Sequence, residues 1–150
     1  MFSIFSDEHF MNEALKEAQK AFDEDEVPVG AVVVCNNKII SRAYNMTEKL
    51  NDVTAHAEML AITSAANAIG GKYLSECTLF VTLEPCIMCG GALFWSQIKK
   101  IVYSAPDPKR GFSKVTPPIL HPKTEVIGNI LAEQSNKLLI SFFKSKRKKS

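Results

Sequence analysis

Glycine and proline are sparse, at seven of each in 150 residues, so the chain is neither collagen-like nor a low-complexity linker. Charged residues are also too few, at 23% against 46% hydrophobic, for a disordered polyelectrolyte. Long apolar runs are missing: the chargeless segment Pro85 to Ile98 falls short of the roughly 20 residues that cross a bilayer, so no membrane association is expected. Met1 to Phe10 contains no Lys or Arg and includes Asp7 and Glu8, which argues against an export signal and for a cytoplasmic location. Cysteine is limited to four residues, which in a reducing compartment read as metal, catalytic or core thiols rather than a disulfide framework. What remains is the composition and length of one ordinary globular domain.

The formal net charge of +2 is unevenly spread. Lys144, Lys146, Arg147, Lys148 and Lys149 crowd the carboxyl end, and without them 13 basic side chains face 16 acidic ones, including the run Asp23 to Glu26. The expected organisation is therefore a domain over residues 1–143 and a basic tail over 144–150. A charge run of this kind is by default a solvated end.

Phe10, Met11, Ala14, Leu15, Ala18, Ala21 and Phe22 recur at steps of three and four, which predicts a helix with one buried stripe and Ser6 as its N-cap. Val29 to Cys35 and Lys38 to Tyr44 are β-branched runs joined by Asn36-Asn37, a pair that tolerates positive φ, and read as a hairpin. The Ala-, Met- and Leu-rich run from Thr54 to Gly70-Gly71 predicts a helix buried on most sides, with Thr54 as N-cap and a glycine C-cap. Cys77 to Thr82 is a short strand, Pro85 to Gln97 a helix with proline in its first turn, and Ile101 to Ser104 a further strand. A proline-rich loop follows, then an edge strand at Thr124 to Ile127 and a final helix carrying Leu131, Leu138, Leu139, Phe142 and Phe143. Strands alternating with helices predict an α/β domain, a three-layer α/β/α sandwich around a mixed sheet.

The chemistry gathers at two predicted helix starts, His56-Ala57-Glu58 and Pro85-Cys86-Ile87-Met88-Cys89. Cys86 and Cys89, three apart, project from one side of a first turn, where free backbone N–H groups and the helix dipole favour thiolate. With His56 they form a three-ligand set whose two negative charges balance Zn²⁺ and whose fourth tetrahedral position stays open for water, the pattern of a catalytic site. Glu58 suits the part of base toward that water. Residues two apart in a helix interior point to opposite sides, but within the first turn behind a Thr54 cap their side chains can converge past the open end.

His-x-Glu followed by Pro-Cys-x-x-Cys is a signature of zinc-dependent nucleobase deaminases. Together with the stretch from Glu26 to Val34, Asn45, Thr54 to Glu58, Val81 to Gly90 and Asp107-x-Lys109, it makes the chain resemble the tRNA-specific adenosine deaminases of the cytidine-deaminase-like superfamily. The resemblance implies a cytidine-deaminase-like fold and one Zn²⁺ per chain held by His56, Cys86 and Cys89. It implies a homodimer that converts the wobble adenosine of a tRNA anticodon stem-loop to inosine, with Glu58 as proton shuttle. Val29 and Asn45 would line the base pocket, and the backbone around Ala57 and Glu84 would face the substrate. Asp107 and the end of the chain, Phe143, Lys144, Lys146 and Arg147, would meet the RNA, where the tail cations gain a role against phosphates. After Asp107-x-Lys109 the family commonly has small residues. This chain has Arg110-Gly111-Phe112-Ser113, so Phe112 is expected to alter the RNA-facing or dimer surface.

Two other functions fit the same residues. A free base or nucleoside, guanine or cytosine, is an alternative substrate for the same chemistry. A non-enzymic zinc-stabilised binding module requires a fourth protein ligand from Cys35, Cys77 or His121. By default Cys35 and Cys77 are core thiols, His121 is a surface residue, His9 lies on the first helix, and Phe94 and Trp95 are core or dimer contacts.

Overall fold

The computed structural model describes residues 5–149, together with the side chains up to Arg147. Met1 to Ile4, Ser150 and the side chains of Lys148 and Lys149, parts of the amino-terminal stretch and of the tail discussed above, lie outside the described residues. The elements run α1 (Asp7–Asp23), β1 (Gly30–Cys35), β2 (Lys38–Tyr44), α2 (Ala57–Ile69), β3 (Cys77–Leu83), α3 (Ile87–Ser96), β4 (Lys100–Ala105), β5 (Glu125–Ile127) and α4 (Ala132–Lys149). A short 3₁₀ turn, Phe112–Lys114, interrupts the proline-rich loop.

The strands form one mixed sheet in the order β2-β1-β3-β4-β5. β1 is antiparallel to both β2 and β3, while β3, β4 and β5 run parallel. Asn36 and Asn37 close the first hairpin with φ of 53° and 61°, as a two-residue turn with both central residues left-handed requires. One face of the sheet (Ala31, Val33, Leu79, Val81) packs on Ala57, Ala61 and Ala65 of α2 and Leu93 of α3. The other (Val32, Val34, Phe80, Val102) packs on Phe10, Met11 and Ala14 of α1. α4 lies beside α1, joined by the edge-on ring pair Phe22–Phe142, and is tied to β3 by the Ser135 hydroxyl, which donates to the Thr82 carbonyl. The three-layer α/β/α sandwich is thus present, with four helices around five strands.

Several local expectations hold. Ser6 caps α1 and accepts from the His9 N–H at 3.1 Å. Gly70 ends α2 in the left-handed region, at φ 74°. Gly30 is where the sheet touches α1: a β-carbon there would collide with the backbone of Ala14 and Ala18.

Others are corrected. Thr54 does not cap α2, because its N–H and hydroxyl both go to the Asp52 carboxylate, at 2.8 and 2.7 Å, and the cap falls on His56. Only Ala57, Glu58, Ala61 and Ala65 of α2 are buried, so the helix has one inward stripe rather than burial on most sides. The proline of the next helix stands before it, since Cys86 is the cap and α3 begins at Ile87. Phe112 is not a surface residue: it is 8% exposed, meets the Tyr103 ring edge-on and bonds through its N–H to the Pro85 carbonyl at 2.9 Å.

Candidate metal centre and substrate pocket

Two helices present their N-termini to one point at the end of the sheet where β3 finishes. His56 and Cys86 are the N-caps of α2 and α3, both in extended conformation with ψ of 153° and 178°; the His56 ring makes no bond to its own helix, while the Cys86 sulfur accepts from Cys89 in the first turn of α3. Each carbonyl accepts the first helical bond instead, from Leu60 at 3.1 Å and Gly90 at 2.8 Å. The side chains that ordinarily close helix ends are thereby left to face each other. His56 Nδ1 lies 3.7 Å from Cys86 Sγ and 3.6 Å from Cys89 Sγ, and the three donor atoms are all within 4.8 Å of one another. Zn–S and Zn–N bonds of about 2.3 and 2.0 Å at a tetrahedral angle put sulfur and nitrogen about 3.5 Å apart, so the donor set fits that ion.

Among the described residues, no fourth side chain joins this group; Glu58, Cys35, Cys77 and His121 all stand outside it. Cys35 and Cys77 face each other across β1 and β3 at the opposite end of the sheet, where burial and the Cys35 thiol beside it push Cys77 up to about 12. His121 is exposed and accepts from the Lys123 N–H at 3.0 Å. A closed four-ligand site of the kind a binding module needs is therefore not formed by these residues.

Hydrogen bonds within the group and burial set the protonation of its members. The Cys86 sulfur is held down to about 3, chiefly by the hydrogen bond from Cys89 and then by His56, while Cys89 is pushed up by the Cys86 thiolate and by burial. His56 is raised by its hydrogen bond to Cys86. Glu58, 4% exposed, is pushed up to about 7, above all by loss of solvent. A carboxyl near 7 exchanges a proton in either direction at neutral pH.

Over the group of His56, Cys86 and Cys89 opens a cavity of about 680 Å³. Val29, Asn45, Ala57, Glu58, Glu84, Asp107 and Phe143 line it together with His56 and Cys86, so all the pocket residues expected from sequence converge on one space. Val29 and Asn45 share a wall because the Asn45 N–H bonds to the Val29 carbonyl at 3.0 Å. The Glu84 N–H is committed to the Ala105 carbonyl at 2.8 Å.

The model of the cytidine and deoxycytidylate deaminase zinc-binding region matches residues 5–105. The tRNA-specific adenosine deaminase of Aquifex aeolicus (strain VF5) is 47% identical over 145 residues, 93% of this chain and 95% of that protein. The corresponding protein of Bacillus subtilis (strain 168) is 45% identical over 148 residues, 95% of this chain and 92% of its own length. A solved structure from work on A-to-I editing by tRNA:A34 deaminases at the wobble position of transfer RNA superposes with a TM-score of 0.82. It is 41% identical and covers 87% of this chain and 99% of that one. The chain belongs to the tRNA-specific adenosine deaminase family.

Within this family member, the residues expected to meet RNA divide into two groups. Phe143 is half exposed and reaches the cavity, and Lys144 and Arg147 are exposed on α4. Lys146 turns away to pair with Asp25 at 2.6 Å, and its ammonium sits 5.5 Å from the Phe142 ring centre. Asp107 is engaged locally: its carboxylate accepts the N–H groups of Lys109 and Arg110 at 3.1 and 3.0 Å. Sequence reasoning missed Asn136 and Leu139, which line the pocket from α4, and Arg110, which lines it from the loop. The helical stripe of α4 carried Leu139 only as a packing residue, and nothing local distinguishes Asn136. Ile87, Phe94 and Trp95 of α3 are 58%, 38% and 76% exposed, so the latter two are not core residues.

Proposed function

We propose that this chain is a zinc-dependent hydrolase that converts adenosine to inosine at the wobble position of a tRNA anticodon loop. The observation that carries the reading is the convergence of His56, Cys86 and Cys89 with the buried Glu58 at the floor of a cavity large enough for a nucleoside. His56, Cys86 and Cys89 would hold one Zn²⁺ per chain, which would supply Lewis acidity toward the attacking water.

The chain's own residues do the rest. Glu58 takes the proton from water as its oxygen adds to C6 of the purine. It passes that proton to N1, then takes the proton of the hydroxyl now on C6 and gives it to the amino group, which leaves as ammonia as the C6 carbonyl forms, so that adenosine and water give inosine and ammonia. Val29 and Asn45 form the wall against which the base lies, while the Ala57 N–H and the Glu84 carbonyl are the backbone groups facing it. A single-stranded loop lets the base leave its stack at low cost, and the basic end, Lys144 to Ser150, neutralises nearby phosphates. Asp107 and Phe143 mark the RNA-facing rim. Residues 1–143 make the catalytic domain and 144–150 its tail. We further infer a cytoplasmic homodimer; the exposed apolar side chains on α3 support self-association.

Zinc-loaded protein incubated with an anticodon stem-loop is expected to yield inosine in that RNA. Removing residues 144–150 should weaken the reaction on RNA and change its salt dependence. Turnover of free guanine or cytosine with an inert stem-loop would replace this reading with the small-molecule one.

A further inference from the structure

Glu84 has a buried carboxylate that the chemistry above does not use. It is 3% exposed, stands two residues before Cys86, and accepts three hydrogen bonds from a single loop. The Asp107 N–H donates at 3.0 Å, the Ser113 N–H at 3.0 Å and the Ser113 hydroxyl at 2.6 Å. Gly111 between them is required by this contact, because a β-carbon there would strike the Glu84 carboxyl. The loop is also pinned by Phe112 N–H to the Pro85 carbonyl at 2.9 Å and by Gly111 N–H to the Asp107 carbonyl at 3.0 Å. Asp107 then passes the order on by accepting the Lys109 and Arg110 amides.

The other side of this loop is functional surface. Pro106 to Arg110 form one wall of the cavity over the metal-ligating group, and Lys109 and Arg110 bring the cations at that rim. A carboxylate taken from water is costly unless hydrogen bonds compensate it, and here the compensation comes from amides and a hydroxyl of the pocket wall. We propose that Glu84 is a positioning residue: its carboxylate holds the 106–113 loop as the substrate-facing wall, aligned with the metal-binding turn that follows Glu84 in the chain. The proposal rests on the function proposed above, and it places Asp107 in loop construction first. The loop cations are thereby held where the phosphate next to a flipped-out base would pass.

The test uses the full-length, zinc-loaded protein and its Glu84→Gln variant, whose amide keeps the shape but turns a donor toward donors. On the anticodon stem-loop, KM is expected to rise about tenfold or more while kcat stays within about threefold, the mark of lost substrate positioning. Zinc content should be unchanged, and the Asp107 and Ser113 amides should exchange with solvent faster. Ser113→Ala should raise KM less, and add little in the double variant. If Glu84→Gln fails to fold, Ser113→Ala decides by its own smaller rise in KM at unchanged kcat. Loss of zinc, a fall in kcat at constant KM, or an unchanged KM despite faster exchange would each overturn the proposal. So would unaltered amide exchange, which needs no activity to observe. A wild-type protein inert on RNA overturns the function above instead, and KM is then compared on whichever free base it deaminates.

Discussion

His56 and Cys86 occupy the same position on two different helices: each is an N-cap, and Nδ1 of one lies 3.7 Å from Sγ of the other. N-cap side chains normally satisfy the first amides of their own helix. Here the His56 ring gives its helix no such bond, the Cys86 sulfur is shared between Cys89 and His56, and the two helix ends are turned toward a common point. The positive ends of two helix dipoles then favour the thiolate form there.

That arrangement predicts the metal behaviour. Purified protein should bind one zinc ion per chain, and His56→Ala, Cys86→Ala and Cys89→Ala should each lose it, as read by elemental analysis. Chelation should lower the thermal midpoint, and zinc titration of the stripped protein should release protons, because Cys89 is held protonated without the ion.

Glu58→Gln separates chemistry from structure. Burial raises the carboxyl, so an amide of the same shape removes a desolvated acid and should leave the thermal midpoint level or higher. Deamination should fall by about a hundred- to ten-thousand-fold, as loss of a proton carrier implies, with zinc retained. Retained activity would remove Glu58 from the mechanism.

Gly30→Ala should be among the more damaging single-atom-group additions in the fold. The added methyl meets backbone of Ala14 and Ala18 rather than a yielding side chain, so a loss of about 1–3 kcal/mol or more is expected in urea unfolding. Gly91, whose β-carbon would meet nothing within 4 Å, is the control and should tolerate alanine.

Glu13 gives a pH dependence whose sign follows from its partners. Lys16 at 2.6 Å and Arg42 at 2.8 Å hold its carboxyl below the ordinary 4.5. A lowered folded value means the stabilisation is present above about 4.5 and fades as pH falls through the lowered value. Glu13→Gln should therefore cost about 0.2–1 kcal/mol near neutrality and flatten the acid limb of a stability–pH curve.

The local signals proved legible where one or two residues decide the outcome. Asn36-Asn37 specifies its turn by tolerance of positive φ, Gly70 its helix end by the same tolerance, and Ser6 its cap by a reachable hydroxyl. Thr54 misled because Asp52 competes for its donors two residues away, a local contest with no pattern to announce the winner. Phe112 misled because its burial depends on Tyr103 and on the turn at Pro85, neither of them near in sequence. The gathering of His56, Cys86 and Cys89 was legible because residue type and spacing announce it. The hold of Glu84 on the loop was not, since its bonds span 23 and 29 residues and join groups with no shared periodicity.

The start of α1 and the last turns of α4 lie at opposite ends of the sheet. Asp7, at the start of α1, sits 3.8 Å from Lys100 where β4 begins, whereas Phe143 on α4 reaches the cavity and Lys146 pairs with Asp25 nearby. An affinity tag or tethered enzyme attached ahead of α1 would therefore hang clear of the mouth, while one attached behind α4 would stand in the doorway through which a polynucleotide arrives.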